Sequence, residues 1–404
     1  MLRRKSRRSA RDNHRRTSAH LPNEIVDHII GCVPWDRHRH NTLAKSSRVS
    51  REWASIVRPH LFREVWIDGE SRVLELGGMI SETPAICRWI RKLRILNPPG
   101  SQNKHTWAPG ECLFWVLWLS PQFKALLAQL TVIRTLIFAN ISVSRYSLPP
   151  SAEDIQDINT TLSQMHQVEA IRFVCCDMDM RFMLPFIHKL PNLHHFSSNS
   201  SYFHVSGENQ PRVFRLDTLV LDGGWPPCRN VLSAEALRSV QSLHLLGVTR
   251  VMTAIDPHLL FILDNMSASL KFMRFDFSKM PTYTETCVLS SWNTDNLVGL
   301  KEIHITLRPK SSFHCELLLS KLRDLPVRHI TLEATFDYLK AFKPVDFVGL
   351  DRTLQRPAFE ALRSVRFIHR GLLTPKRARS RFLEVLPSLT DRGIAIDFLR
   401  PKHD

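Results

Sequence analysis

Residues Leu21 to Ile67 read LPNEIVDHIIGCVPWDRHRHNTLAKSSRVSREWASIVRPHLFREVWI, and the rest of the chain is read outward from them. The first part predicts a short helix. Pro22 suits a first helical turn, where its fixed φ is preorganised and its missing N–H needs no partner, and Glu24 complements the helix dipole. Ile25 and Ile29 recur at i and i+4 beside Val26 and Ile30, giving one apolar face that Gly31 and Pro34 bring to an end. A polar loop from Trp35 to His40 follows. Asn41 or Thr42 then caps a second predicted helix, in which Leu43, Val49, Trp53, Ile56 and Val57 form an apolar stripe until Pro59 closes it. Phe62, Val65 and Ile67 alternate as a short strand.

Leu-Pro-x-Glu-Ile at the start, Leu43, Val49-Ser50 followed by Trp53, and Leu61-Phe62 leading into a strand together resemble an F-box, over residues 21–67 of 404. Two positions depart from the family pattern: Arg48 stands where an apolar residue is usual, and Ser46 where cysteine is common. The resemblance implies a substrate-recognition adaptor of a cullin-type (SCF) ubiquitin ligase, docked to the Skp-type linker subunit while the remainder of the chain presents a substrate protein. Carried over by position, Leu21, Pro22, Glu24, Ile25, Ile29, Val49 and Trp53 form the apolar module and its partner-binding surface. A module this small buries little surface alone, so packing on a partner or on the following array is expected. A helical hairpin that caps a larger domain has the same packing logic and stays open as a reading.

From Phe62 onward, apolar residues recur at positions one, four and six. The copies are Phe62/Val65/Ile67, Ile90/Leu93/Ile95, Ile133/Leu136/Phe138, Val168/Ile171/Phe173, Leu216/Leu219/Leu221, Val240/Leu243/Leu245, Leu270/Met273/Phe275, Leu300/Ile303/Ile305, Val327/Ile330/Leu332 and Leu362/Val365/Phe367. Weaker copies lie at Leu193/Phe196 and Ile394/Ile396. From Val168 the copies start 23 to 35 residues apart, a length that holds one strand plus one helix or loop. Helices are expected between them at Ala152–Gln164, Met180–His188, Pro257–Met266 and Phe313–Leu322. The pattern resembles a degenerate leucine-rich-repeat horseshoe in which the asparagine that normally follows the strand is mostly missing. The expected fold is therefore α/β: a basic tail over 1–20, a helical module over 21–66, and a repeat solenoid over 67–404. A break into two blocks is conceivable near Asn97 to Glu111, where Pro, Gly and polar residues cluster. A doubly wound domain would want a Gly-rich turn after an early strand, and the chain has only 14 glycines and no such turn.

In parallel strands alternate side chains point to opposite faces, so positions one, four and six fill the core while three and five line the exposed, concave face. Position five then carries Arg94, Arg172, His244, Arg274, His304 and Arg366, with His195 and His329 at position three. Such a stripe is expected to favour an acidic or phosphorylated protein segment, because guanidinium forks grip phosphate in pairs. The plainer reading is that strand positions facing water take polar residues, many of them basic in a basic chain.

The formal net charge is +17, of which residues 1–20 contribute +7 through eight cations against Asp12 alone. That segment has almost no apolar residues and reads as disordered; nuclear import, nucleic-acid contact and plain solvation are its open readings. No secretory signal or membrane span is expected, because the longest apolar run, Cys112 to Leu119, falls well short of the roughly 20 residues a span needs. It reads as a buried helix, and the expected location is cytoplasmic, nuclear or both. Eight scattered cysteines without a Cys-x-x-Cys pair read as reduced core thiols, with adjacent Cys175 and Cys176 on opposite faces of a strand. No phosphate loop, His-Glu-x-x-His or nucleophile elbow is present, and Asp177 with Asp179 reads as a solvated turn. Neither enzyme chemistry nor a cofactor or metal is expected. The runner-up function is a basic repeat protein that binds nucleic acid or serves as a scaffold outside the ubiquitin pathway.

Overall fold

In a computed structural model the residues described are 21–33, 38–97, 117–143, 151–179, 187–204, 215–222, 232–246, 257–266, 268–277, 292–307, 312–322, 325–335 and 345–399. The basic tail, Pro34 and Trp35, and all of the Asn97–Glu111 stretch beyond Asn97 lie outside them. So do Cys112, Cys228 and Cys287, and most of the helix expected at Met180–His188. The chain divides after Leu61 into two compact units.

Among the described residues the first unit holds three helices, α1 (Asn23–Gly31), α2 (Arg39–Ser46) and α3 (Arg51–Leu61). The single second helix expected from the sequence is thus two. The chain breaks around Ser47–Ser50, where the Ser50 hydroxyl accepts the Trp53 N–H at 3.1 Å and starts α3. Asn41 and Thr42 cap nothing, since α2 already begins at Arg39. Pro59 lies inside the last turn of α3 and does not end it, because so close to the terminus its missing N–H forfeits only one ladder bond. Val26, Ile30, Leu43 and Val57 make the core, with Val33, Trp53, Ile56 and Leu61 packed around them. Asp27 pairs with His60 at 2.8 Å, tying α1 to α3, and Arg39 donates to the Val33 carbonyl at the end of α1.

The second unit is α/β. Its strands are β1 (Glu64–Ile67), β2 (Lys92–Leu96), β3 (Thr135–Ala139), β4 (Ser142–Val143), β5 (Ala170–Val174), β6 (Asp177–Asp179), β7 (His195–Asn199) and β8 (Tyr202–His204). They continue with β9 (Thr218–Asp222), β10 (Ser242–Leu246), β11 (Phe272–Asp276), β12 (Glu302–Leu307), β13 (His329–Thr335), β14 (Ser364–Arg370) and β15 (Ala395–Leu399). Twelve of them form one parallel sheet in chain order, β1-β2-β3-β5-β7-β9-β10-β11-β12-β13-β14-β15. No break occurs at the Asn97–Glu111 stretch, because β2 pairs directly with β3.

The apolar pattern sets the register. One lateral row runs Val65, Leu93, Leu136, Ile171, Phe196, Leu219, Leu243, Met273, Ile303, Ile330, Val365, Ile396, which is position four of every copy. Residues at positions one, four and six of the ten full copies are all buried except Phe62, which is half-buried against Trp89. A parallel strand that slipped by one residue would turn this whole set to the wrong face. The last copy needs correction: Ile396 occupies position four and Phe398 position six, two residues later than the Ile394/Ile396 pattern suggests.

Helices α4 (Glu70–Glu82), α5 (Pro121–Gln129), α6 (Ala152–Ser163), α7 (Ala234–Ser239), α8 (Pro257–Asp264), α9 (Ser312–Lys321), α10 (Phe347–Leu354), α11 (Pro375–Val385) and α12 (Pro387–Asp391) lie between strands. Of these, α6, α8 and α9 match expected helices. Side-chain caps at Ser120, Ser151, Ser233, Asp346 and Thr374 start α5, α6, α7, α10 and α11 by accepting a first-turn N–H. The run ending at Leu119 is helical at 117–119, with Leu117 and Trp118 buried.

After β3, β5 and β7 the chain turns sharply into a second, three-stranded parallel sheet, β4-β6-β8. Asn140, Cys175 and Ser200 make these corners in the left-handed region, at φ of 54°, 53° and 46°. Their N–H groups donate to Val174, Asn199 and Asp222 carbonyls on the next strand, which holds the corners in line. Cys175 is exposed and Cys176 buried, but they lie in the corner between β5 and β6 and not on opposite faces of a strand. The Cys176 thiol donates to the Phe138 carbonyl at 3.3 Å, and the Ser201 hydroxyl accepts the Cys176 N–H at 3.0 Å, so cysteine and serine serve the buried backbone where asparagine is absent. Burial pushes the Cys176 thiol up to about 11. Asp177 and Asp179 belong to β6 and not to a solvated turn. The five described cysteines are free thiols.

Candidate functional site

Two surfaces carry the residues singled out from the sequence. On the first unit, α1 splits its apolar residues into two rows. Val26 and Ile30 face the core, while Ile25 and Ile29 are 48% and 44% exposed. Leu21 at 44% and Val49 at 64% are exposed as well, and so are Pro22 and Glu24. Trp53 is different: it is half-buried and packs on the four-residue core, so its role is internal. Spacing alone could not separate the two rows, because both repeat at i, i+4.

On the second unit, the expected stripe forms a true lateral row on the face opposite the core. Position five runs Trp66, Arg94, Ile137, Arg172, Ser197, Val220, His244, Arg274, His304, Thr331, Arg366, Asp397. Part of its charge is already engaged. Arg94 reaches Glu64 at 3.2 Å and lies 5.7 Å from the centre of the Trp66 ring. Arg274 and His304 both donate to Glu333, at 3.1 and 2.9 Å, and Arg370 donates to its other oxygen. Glu333 is 5% exposed. Burial alone would raise its carboxyl, yet the His304 hydrogen bond and the Arg370 charge and hydrogen bond hold it down to about 2. The sequence reading missed Glu333 because it sits two residues beyond the row, on the neighbouring strand β13.

His195 and His244 add little positive charge. His244 shares a 2.9 Å hydrogen bond with Ser242 and tilts against Phe272 at 5.1 Å. Burial, helped by Arg274, His195 and His304, lowers its ring to about 4, and burial with Arg172 and His194 lowers His195 to about 4. His329 is exposed and bonds the Ser364 hydroxyl at 2.8 Å. Arg172 and Arg366 are the stripe cations that make no ion pair among the described residues.

A groove of about 840 Å³ lies off this face, where the chain enters β3, β5, β7 and β9. Arg134–Glu169 (3.2 Å) and Arg215–Asp217 (3.8 Å) line it beside Asn192 and His194. Its two ion pairs are internal to the groove, and among the described residues that line it no nucleophile stands beside a base. Among the described residues no group of three or more His, Cys, Asp or Glu could hold a metal ion, and no helix is long and apolar enough to cross a membrane. The two surfaces differ chemically: that of the first unit is apolar, that of the second polar. No family model matches the chain, and no curated protein is significantly similar to it.

Proposed function

We propose that the chain is a substrate-recognition adaptor of a cullin-type ubiquitin ligase. Its first unit acts as the F-box that docks to the Skp-type linker subunit, and its second unit is a leucine-rich-repeat-like array that holds a substrate protein. The observation that carries this reading is the set of exposed apolar residues, Leu21, Ile25 and Ile29 at and along α1 and Val49 before α3, on a unit whose core among the described residues is four side chains. A unit that small with so much apolar surface turned outward gains most by packing it on a partner. The array supplies the other half: a wide parallel sheet whose open face is polar and adaptable, suited to an extended protein segment. Holding substrate beside the ligase raises its effective concentration without any chemistry by the adaptor itself.

The test is binding of the full-length protein to a purified Skp-type linker subunit, with Leu21→Ala/Pro22→Ala and Ile25→Asp/Ile29→Asp as variants. Each exposed apolar anchor buried on docking contributes about 1.5–3 kcal/mol. Either double variant should therefore weaken binding by roughly a hundredfold or more. Because these side chains lie outside the core, helix content should stay unchanged. An unaltered chain that fails to bind, or variants that bind equally well, would refute the reading.

A further inference from the structure

Two of the four arginines of the stripe, Arg94 and Arg274, are engaged from within, and the second unit carries in addition a separate line of cations without ion pairs among the described residues. Position two of each copy, just before the strand, forms its own rung. The Lys301 N–H donates to the Lys271 carbonyl at 2.9 Å, the Arg328 N–H to Lys301 at 2.8 Å, and the Arg363 N–H to Arg328 at 2.8 Å. Lys271, Lys301, Arg328 and Arg363 are thus direct lateral neighbours at the entrances of β11 to β14. All four side chains are exposed.

None of the four makes an ion pair among the described residues; the only side-chain partner is the neutral Gln241, whose oxygen accepts from Lys271 at 2.9 Å. Gln241 in turn donates to Asp217 at 3.3 Å, so the acid of this rung is spent two strands away. Like charges on directly opposed rungs repel, and their backbone carbonyls are already used by the next strand. An anionic segment that runs along the row would relieve this repulsion.

We infer that this rim, and not the stripe on the open face, binds an acidic, extended protein segment. Adjacent strands lie about 4.8 Å apart, so the row spans about 14 Å, the length of four to five extended residues. Two observations favour a peptide over a nucleic-acid strand. The aromatic residue beside the row, Phe272, is half-buried and already packs on the His244 ring, which makes it a poor stacking platform for a base. Glu302 follows Lys301 directly and would repel a continuous phosphate backbone, while a peptide can place its carboxylates on either side of it. The inference rests on the array as a protein-binding surface and is independent of what the first unit docks to.

The experiment uses the full-length protein and a fluorescent deca-glutamate peptide at about 50 mM salt, where screening is modest. Lys301→Gln/Arg328→Gln and Lys301→Glu/Arg328→Glu are compared with Arg172→Glu/Arg366→Glu on the stripe. Thermal melting shows that each variant is folded. The rim variants should lose affinity in order of charge removed, by roughly tenfold or more for the reversal, whereas the stripe variant should stay within about twofold. Loss in the stripe variant alone, or no binding by the unaltered chain, overturns the inference. A ten-nucleotide thymidine oligomer that binds more tightly than the peptide, in a rim-dependent way, overturns the choice of partner. Since no linker subunit enters this assay, its failure is separate from failure of the docking test.

Discussion

Replacing Glu333 by Gln tests how the open face is held. The carboxylate is 5% exposed and accepts from three donors on three strands: Arg274 on β11, His304 on β12 and Arg370 on β14. Glutamine fills the same space but removes the charge, and its NH2 would face donors that need an acceptor. Breaking one side of a buried ionic cluster costs about 3–5 kcal/mol when every partner is buried. Here the Arg274 and Arg370 side chains are 28% and 48% exposed, so water recovers part of their solvation and about 2–3 kcal/mol is the working figure. Over a unit of roughly 340 residues, an unfolding entropy of about 2.1 cal/mol/K per residue turns that into a fall in the melting midpoint of about 3–4 °C. The pH dependence gives a second handle. Because the folded carboxyl is held down to about 2 against an ordinary 4.5, its stabilisation is complete above about 4.5 and is lost as the pH falls toward 2. Calorimetric melts of both proteins should therefore differ most at neutral pH and converge below pH 4.5. Equal midpoints at neutral pH, or a difference that grows on acidification, would show that Glu333 does not organise the cluster.

Two further outcomes follow from the same packing. His195 and His244 are held near 4 against an ordinary 6.5, so the unfolded chain takes up protons first, and stability should fall as the pH drops from 6.5 toward 4. His195→Gln/His244→Gln should flatten that decline, removing about 1–2 kcal/mol of pH dependence per residue after allowance for partial exposure; urea midpoints at pH 7 and 5 measure it. Gly299→Ala should be among the costliest single methyl additions in the array, because the added Cβ would stand 1.8 Å from the Ala268 carbonyl oxygen in the neighbouring turn. A loss of about 3 kcal/mol or more is expected in urea unfolding, and a loss under 1 would mean that the turns are not in contact.

The sheet was legible because position-one, -four and -six residues are buried by the same geometry in every copy, even where the copies are irregularly spaced. Leu193/Phe196 was found on two residues alone, whereas at Ile394 the alternation Ile-Ala-Ile-Asp-Phe fits two registers and only pairing with Val365 decides between them. The helices were less legible. Glu70–Glu82 carries a regular i, i+3, i+7 row, Val73, Leu76 and Ile80, that went unread, whereas Phe347–Leu354 buries residues all round among neighbouring helices and shows no one-sided pattern. The break at Ser47–Ser50 was missed because serine is an acceptable helix residue until its hydroxyl finds an N–H to cap. For the stripe, positions were readable but charge balance was not. Whether Arg274 is available depends on Glu333, which is 59 residues away in sequence and two strands away in space.

Every strand of the large sheet pairs only with strands that neighbour it in the order of the chain. Such a fold has no long-range closure to lose, so cooperativity decays along its length and stability accumulates copy by copy. Folding can nucleate on any adjacent pair of copies and spread both ways, since each new strand meets a template made a few tens of residues earlier. During synthesis the growing chain never waits for a distant segment to arrive. The same arrangement leaves β1 and β15 as the edge strands of the sheet among the described residues, each with a single neighbour in it. Mechanical force applied at an edge should peel the sheet as a series of small steps, each the width of one strand and its helix.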